Sequence, residues 1–172
     1  MATIDRVRQR MAAELQPGEK VLYGTFGMRT GGVRKAMIGG ALGIAGAVGA
    51  AAMAAASRSG SQVPATSLTL PGRFFVVLTD QRLLVFSTGG AIVAKPKNVL
   101  YAYSRDQLAW VSDELIPGVA QAFRVSIGVA DAGVLNFEFP RLEVSAGRTM
   151  VSRIRADMPE ARQVHDEEHG EH

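Results

Sequence analysis

FFVVLTDQRLLVFSTGG, residues 74–90, decides the fold, because two apolar runs stand on either side of a short polar turn. The runs are rich in the aromatic and β-branched residues that favour strands. Asp80-Gln81 separates them, and Gly89-Gly90 marks a second turn after them. The stretch therefore predicts two apolar strands, RFFVVLT and RLLVFST, joined by a tight turn.

Strand patterns continue on both sides of this hairpin. Upstream, residues 19–29 alternate as a strand should, with Val21 and Tyr23 on one face. Downstream, the pattern predicts a strand over 91–95 that is interrupted at 96–98, a strand over 107–115, and a hairpin around Asp131-Ala132-Gly133. Short strands at this spacing indicate an antiparallel sandwich or barrel.

A helix is predicted at each end of the strand-rich region. Residues 3–15 carry one apolar stripe, formed by Ile4, Val7, Met11 and Leu15, before Pro17-Gly18. Residues 141–158 carry another, formed by Val144, Val151, Ile154 and Met158. The second helix would cover one open end of a barrel and bury both its own stripe and the barrel interior.

This order of elements resembles the pleckstrin-homology-like domains, which have seven antiparallel strands and a C-terminal capping helix. The turn Thr79-Asp80-Gln81-Arg82 resembles the T-x-x-R signature of the bacterial and GRAM-type members. The resemblance covers residues 19–158 and implies a mainly β barrel and a non-enzymatic binding module. The flanking segments are predicted to be an N-terminal amphipathic helix in 1–18 and a disordered acidic tail in 159–172. Within the domain, an Ala/Gly-rich helical insertion and linker, residues 30–70, is predicted between the first two strands.

The composition argues against most enzyme classes. The 172 residues include no cysteine, and the three histidines, His165, His169 and His172, all lie in the tail. Most of the chain therefore lacks the side chains that most easily move protons near neutral pH or hold zinc. Residues 27–34 begin like a phosphate loop, but Val33 and Arg34 stand where Lys and Ser/Thr are required. We expect no catalytic residue, no metal and no cofactor.

The charge favours an anionic partner. The net charge is +3, although four acids fall within the last eight residues. Arg and Lys are scattered and are not clustered with exposed aromatic residues, so nucleic acid is not the expected partner. The N-terminus lacks a continuous apolar core and does not resemble a secretory signal. We expect a cytoplasmic location, at the inner face of the cell membrane.

Residues 36–57, AMIGGALGIAGAVGAAAMAAAS, contain no charge and pose the main functional question. About 20 residues can span a bilayer, but few here are large aliphatic residues, and a single crossing would separate two strands that must pair. A helix that touches the membrane without crossing it keeps the barrel intact. Its head-group contacts would be Arg29, Arg34, Lys35 and Arg58, and its apolar contacts Ile38, Leu42 and Met53.

Two alternatives for this segment stay open. Its small residues recur every four positions, at Gly39, Gly43, Ala47 and Ala51. Such a ladder lets the helix pack closely through its small-residue face, either on its own barrel or on a second copy of the chain, and the second case gives a homo-oligomer. The other alternative is a flexible loop with no partner of its own.

Overall fold

A computed structural model describes residues 3–30, 63–118 and 121–158 of the chain. Within them, seven antiparallel strands form one sheet, with one helix before the strands and one after them. The bounds are α1 Thr3–Met11, β1 Val21–Arg29, β2 Arg73–Thr79, β3 Arg82–Gly89, β4 Lys95–Ser104, β5 Leu108–Ile116, β6 Ala122–Val129, β7 Gly133–Pro140 and α2 Val144–Ala156. The helix predicted in the insertion between β1 and β2 lies outside the described residues.

The sheet runs in the order β4-β3-β2-β1-β7-β6-β5. Sequential hairpins build its two halves, and β1 joins them by pairing Met28 with Glu138 and Arg29 with Phe137. Part of the predicted linker extends the sheet past this junction, because Ser67 forms a parallel bridge with Val134. In the described residues β4 and β5 are the two edges of the sheet and do not pair with each other. The seven antiparallel strands and the two flanking helices agree with the prediction.

The main core lies between the two halves of this rolled sheet. Phe74 of β2, Ile127 of β6 and Leu135 of β7 belong to one buried cluster with Ile154 of α2. Phe137 lies at its centre, edge-on to Phe74 at 5.8 Å and to Phe139 at 5.3 Å between ring centroids. The capping role predicted for the C-terminal helix is confirmed, since α2 buries its apolar stripe in this core.

A second core lies on the opposite face of β1–β3, where α1 covers the sheet. Val7 and Met11 are fully buried there against Phe75, Val77 and Phe86. Gly24 of β1 permits this approach, because a Cβ at that position would lie 2.9 Å from the Val7 methyl carbons. Strand β2 is therefore buried on both faces, which explains why the sequence of β2 is apolar throughout.

Two predicted elements have the wrong bounds. Helix α1 ends at Met11, and Leu15 is 36% exposed, because the chain turns after Met11 towards Pro17-Gly18. The strand predicted over 91–95 is instead mostly a loop, and β4 continues through Pro96 to Ser104. An edge strand tolerates proline, since its missing N–H can face away from the ladder. Gly90, at φ +96°, makes the turn before this loop.

Candidate functional site

The Thr79–Arg82 signature forms a structural turn. The Thr79 hydroxyl oxygen accepts hydrogen bonds from the backbone N–H groups of Gln81, at 3.1 Å, and Arg82, at 2.9 Å. The same hydroxyl donates to Glu19 Oε1 at 2.7 Å. This geometry fixes the β2–β3 turn and links it to the residues that lead into β1.

The Arg82 guanidinium completes this link. Its Nε donates to Glu19 Oε1 at 2.8 Å and its Nη2 to Glu19 Oε2 at 3.0 Å. The Glu19 side chain is fully buried, and Arg82 is 19% exposed. Burial raises the pKa of Glu19, but hydrogen bonds from Arg82, the Gln16 N–H and Thr79 outweigh burial, and the net pKa lies below the ordinary 4.5. Arg82 therefore has a structural role, because it joins the β2–β3 turn to the residues before β1.

The lowered pKa of Glu19 predicts an acid-dependent loss of stability. A carboxyl whose pKa is lower when folded contributes stability above its unfolded pKa and loses it as the pH falls through the folded value. We expect the free energy of unfolding to fall as the pH drops below 4.5. Urea unfolding of wild type and Glu19→Gln over a pH series checks this. The two proteins should converge in acid, and a difference that stays constant with pH would contradict the assignment.

One end of the sheet, called here the loop end, gathers the features that fit a binding surface. β1 ends there at Arg29, whose N–H donates to the Gly72 carbonyl at 3.2 Å, just before β2 begins. The last residue of β1 and the residue before β2 are therefore hydrogen-bonded to each other at this end. The β3–β4 loop and the β6–β7 turn lie at the same end, because their strands alternate in direction.

Charge at the loop end is mainly positive. Arg29, Arg73, Lys95 and Lys97 are exposed, and the described loops there carry Asp131 as their acid. Arg29 is the one residue of the predicted membrane set that lies in the described ranges. The other predicted positions, Arg34, Lys35, Arg58, Ile38, Leu42, Met53, Gly39, Gly43, Ala47 and Ala51, lie outside them.

A groove opens beside this end, between α1 and the start of β4. Its volume is about 510 Å³, and it is lined by Arg6, Gln9, Arg10, Val93, Lys95 and Pro96. Three of these six residues are cationic, and none is acidic. Sequence reasoning missed this groove, because the docking of α1 against β4 cannot be derived from the sequence of α1 alone.

An apolar tip stands at the rim of the groove. Ile92 is 97% exposed and Val93 is 46% exposed, and both lie in the β3–β4 loop. The sequence held a signal for this tip, since Ile92-Val93 follows Gly89-Gly90 after one alanine. The strand predicted over 91–95 includes both residues.

Trp110 and two tyrosines of β4 also pack within the described residues. Trp110 is 7% exposed on the edge strand β5, against Gly128 and Val63. Tyr101 and Tyr103 stack at 5.8 Å on one face of β4, as expected for alternate strand residues. Tyr101 also donates a hydrogen bond to the Thr69 carbonyl at 2.8 Å, which holds the linker against β4.

The described residues contain no group of three or more His, Cys, Asp or Glu side chains placed to hold a metal ion. Neither α1 nor α2, the helices of the described ranges, has the length and apolar character needed to cross a membrane.

Comparison with known proteins yields a structural likeness. No protein-family model matches the chain, and no curated protein matches it. The chain is similar to the crystal structure of a pleckstrin homology domain from Shewanella amazonensis SB2B, with a TM-score of 0.44 and 10% sequence identity. The alignment covers 87% of this chain and 95% of that one.

Proposed function

We propose that the chain is a non-enzymatic, pleckstrin-homology-like binding module that attaches to an anionic membrane surface through its loop end. The observation that carries the proposal is the combination of exposed cations with exposed apolar side chains at that end. Arg29, Arg73 and Lys95 are exposed there, and Ile92 is 97% exposed beside them. A peripheral membrane protein needs both, because cations attract the surface and apolar groups enter the interface.

In this proposal, segment 31–62 supplies most of the membrane-binding surface. The segment follows Thr30, the neighbour of the exposed Arg29, in the sequence. Arg34, Lys35 and Arg58 would add about 1 kcal/mol each near an anionic bilayer. Ile38, Leu42 and Met53 would supply apolar contact, at about 1.5–3 kcal/mol for each side chain fully buried.

Co-sedimentation with vesicles tests the proposal. The full chain and a variant lacking residues 36–57 are compared on vesicles of phosphatidylcholine with phosphatidylserine. We expect the full chain to pellet and the deletion to weaken binding by about tenfold or more, since at least one apolar anchor is lost. The deletion keeps ten residues of the segment, 31–35 and 58–62, to connect Thr30 with Val63. Neutral phosphatidylcholine vesicles and added salt are the controls, and both should reduce pelleting.

Equal and negligible pelleting of both proteins on anionic vesicles would reject the membrane function. The ladder of Gly39, Gly43, Ala47 and Ala51 supports the second hypothesis, a module that self-associates through this face. Light scattering on the same two proteins tests it. A mass that falls on deletion, and also on Gly43→Leu with Ala47→Leu, favours self-association, and a monomeric full chain rejects it.

A further inference from the structure

We propose that the membrane contact extends from the loop end, through Lys95 and the tip at Ile92 and Val93, into the groove between α1 and β4, and that the groove makes it specific for anionic bilayers. The proposal rests on the membrane function proposed above and adds a site formed by α1. The resemblance to seven strands and a capping helix does not include α1. The groove and the tip are also separate from segment 31–62, since every residue that forms them lies in α1 or between Gly90 and Lys97.

The groove presents fixed positive charge. Arg10 is held in place by hydrogen bonds from its Nε to the Lys97 carbonyl, at 2.9 Å, and from its Nη1 to Glu14, at 2.7 Å. Its guanidinium also lies 5.6 Å from the centre of the Phe86 ring. Arg6 donates to the Thr3 hydroxyl at 3.2 Å. Ordered cations give up little conformational freedom when an anionic head group approaches.

Glu14, which follows α1, pairs with Arg10 and offsets its charge, so the net positive charge of the lining comes from Arg6 and Lys95. Asp5 lies 3.9 Å from Arg8, away from the groove lining. Lys95 and Lys97 are exposed on β4, and the Lys97 side chain passes over Gly89, where an added Cβ would lie 3.1 Å from its Cδ. The resulting charge complements the phosphates and carboxylates of an anionic lipid surface.

The exposed apolar tip favours a bilayer over a free anion as the ligand of this surface. A small phosphate in the groove would give no role to Ile92, which points away from the protein with 97% of its surface exposed. In a bilayer contact, the cations meet head groups while Ile92 and Val93 enter the interface beyond them. The loop suits this role, because Gly90 at φ +96° turns it outward, and the Val93 carbonyl would lie 2.2 Å from a Cβ there.

A single fluorescent probe tests whether the tip enters lipid. The chain has no cysteine, so Ile92→Cys can be labelled at one position with an environment-sensitive dye. Leu142→Cys is the matched control, because Leu142 is 93% exposed but follows the far end of β7. We expect a blue shift at position 92 on phosphatidylserine-containing vesicles, and none at 142. Phosphatidylcholine vesicles, or inorganic phosphate alone, should leave both probes unshifted.

Unlabelled variants test the charge and the tip separately. Ile92→Ser with Val93→Ser, and Lys95→Gln with Lys97→Gln, should each weaken vesicle binding by about tenfold. Lys20→Gln with Arg141→Gln removes the same charge at the opposite end of the sheet and should leave binding close to wild type. These side chains are exposed, so folding should persist, and circular dichroism checks it.

The outcomes separate this inference from the function on which it rests. A full chain that does not pellet on anionic vesicles rejects both. A full chain that pellets, while the probe at 92 stays unshifted and the serine pair binds normally, rejects the groove and the tip as the contact and leaves segment 31–62 as the attachment. Equal shifts at 92 and 142, or on neutral vesicles, also overturn this inference, because the contact would then be unoriented or independent of charge.

Discussion

Arg82→Ala is expected to lower the free energy of unfolding by about 3–5 kcal/mol, because it leaves a buried carboxylate without its cation. The Glu19 side chain is fully buried, and both of its oxygens accept from the Arg82 guanidinium. Arg82 also donates from Nη2 to the Glu14 carbonyl at 2.9 Å, so the loss would loosen the chain that leads from α1 into β1. Urea or guanidinium unfolding measures the change.

A matched control is available on α1. Arg8 lies 3.9 Å from Asp5, and both side chains are more than half exposed. Arg8→Ala should therefore change stability by at most about 1 kcal/mol. A double-mutant cycle of Arg82→Ala with Glu19→Gln isolates the interaction between the two side chains. The double variant should lose less free energy of unfolding than the two single variants together. If Arg82→Ala lowers the free energy of unfolding no more than Arg8→Ala does, the buried Arg82–Glu19 pair does not stabilise the turn.

The strands and helices could be predicted because their signals are local. The hairpin around Asp80-Gln81 needs only two apolar runs and a turn, and the structure gives β2 and β3 at those positions. The hairpin around residues 131–133 is also confirmed, with Asp131 at φ 62° and Gly133 at φ 142° in the turn. The stripe of the C-terminal helix is confirmed for the same reason, since periodicity specifies which face is buried.

The binding surface could not be predicted in the same way, because it depends on contacts between distant segments. The groove needs Arg6 of α1 beside Lys95 of β4, and nothing near either residue in sequence specifies the other. The partner of Arg82 is likewise 63 positions away, at Glu19. Pro96 predicts an interruption in the sequence, but β4 runs through it, because an edge strand can hold a proline whose missing N–H faces away from the ladder.

Phe137→Ala is expected to be comparably destabilising, by about 3–5 kcal/mol, because it removes a buried ring from the centre of the main core. Phe137 is 1% exposed and touches Phe74 of the first half of the sheet and Phe139 of the second. Phe137 is also the pairing partner of Arg29 in the short antiparallel ladder between β1 and β7. The substitution should therefore weaken the connection between the two halves of the sheet as well as the core.

Hydrogen exchange distinguishes these two effects. If Phe137 holds the junction, exchange of the Arg29 amide, which donates to the Gly72 carbonyl, should accelerate more than that of amides within the β2–β3 hairpin. Phe26→Ala is the matched control, since Phe26 is half-buried and packs edge-on to Phe75 at 5.7 Å in the second core. Phe26→Ala should lower the free energy of unfolding less than Phe137→Ala does, and it should leave the Arg29 amide protected from exchange. Uniform acceleration across the sheet in Phe137→Ala would mean that the ring stabilises the core without a special role at the junction that anchors the loop end.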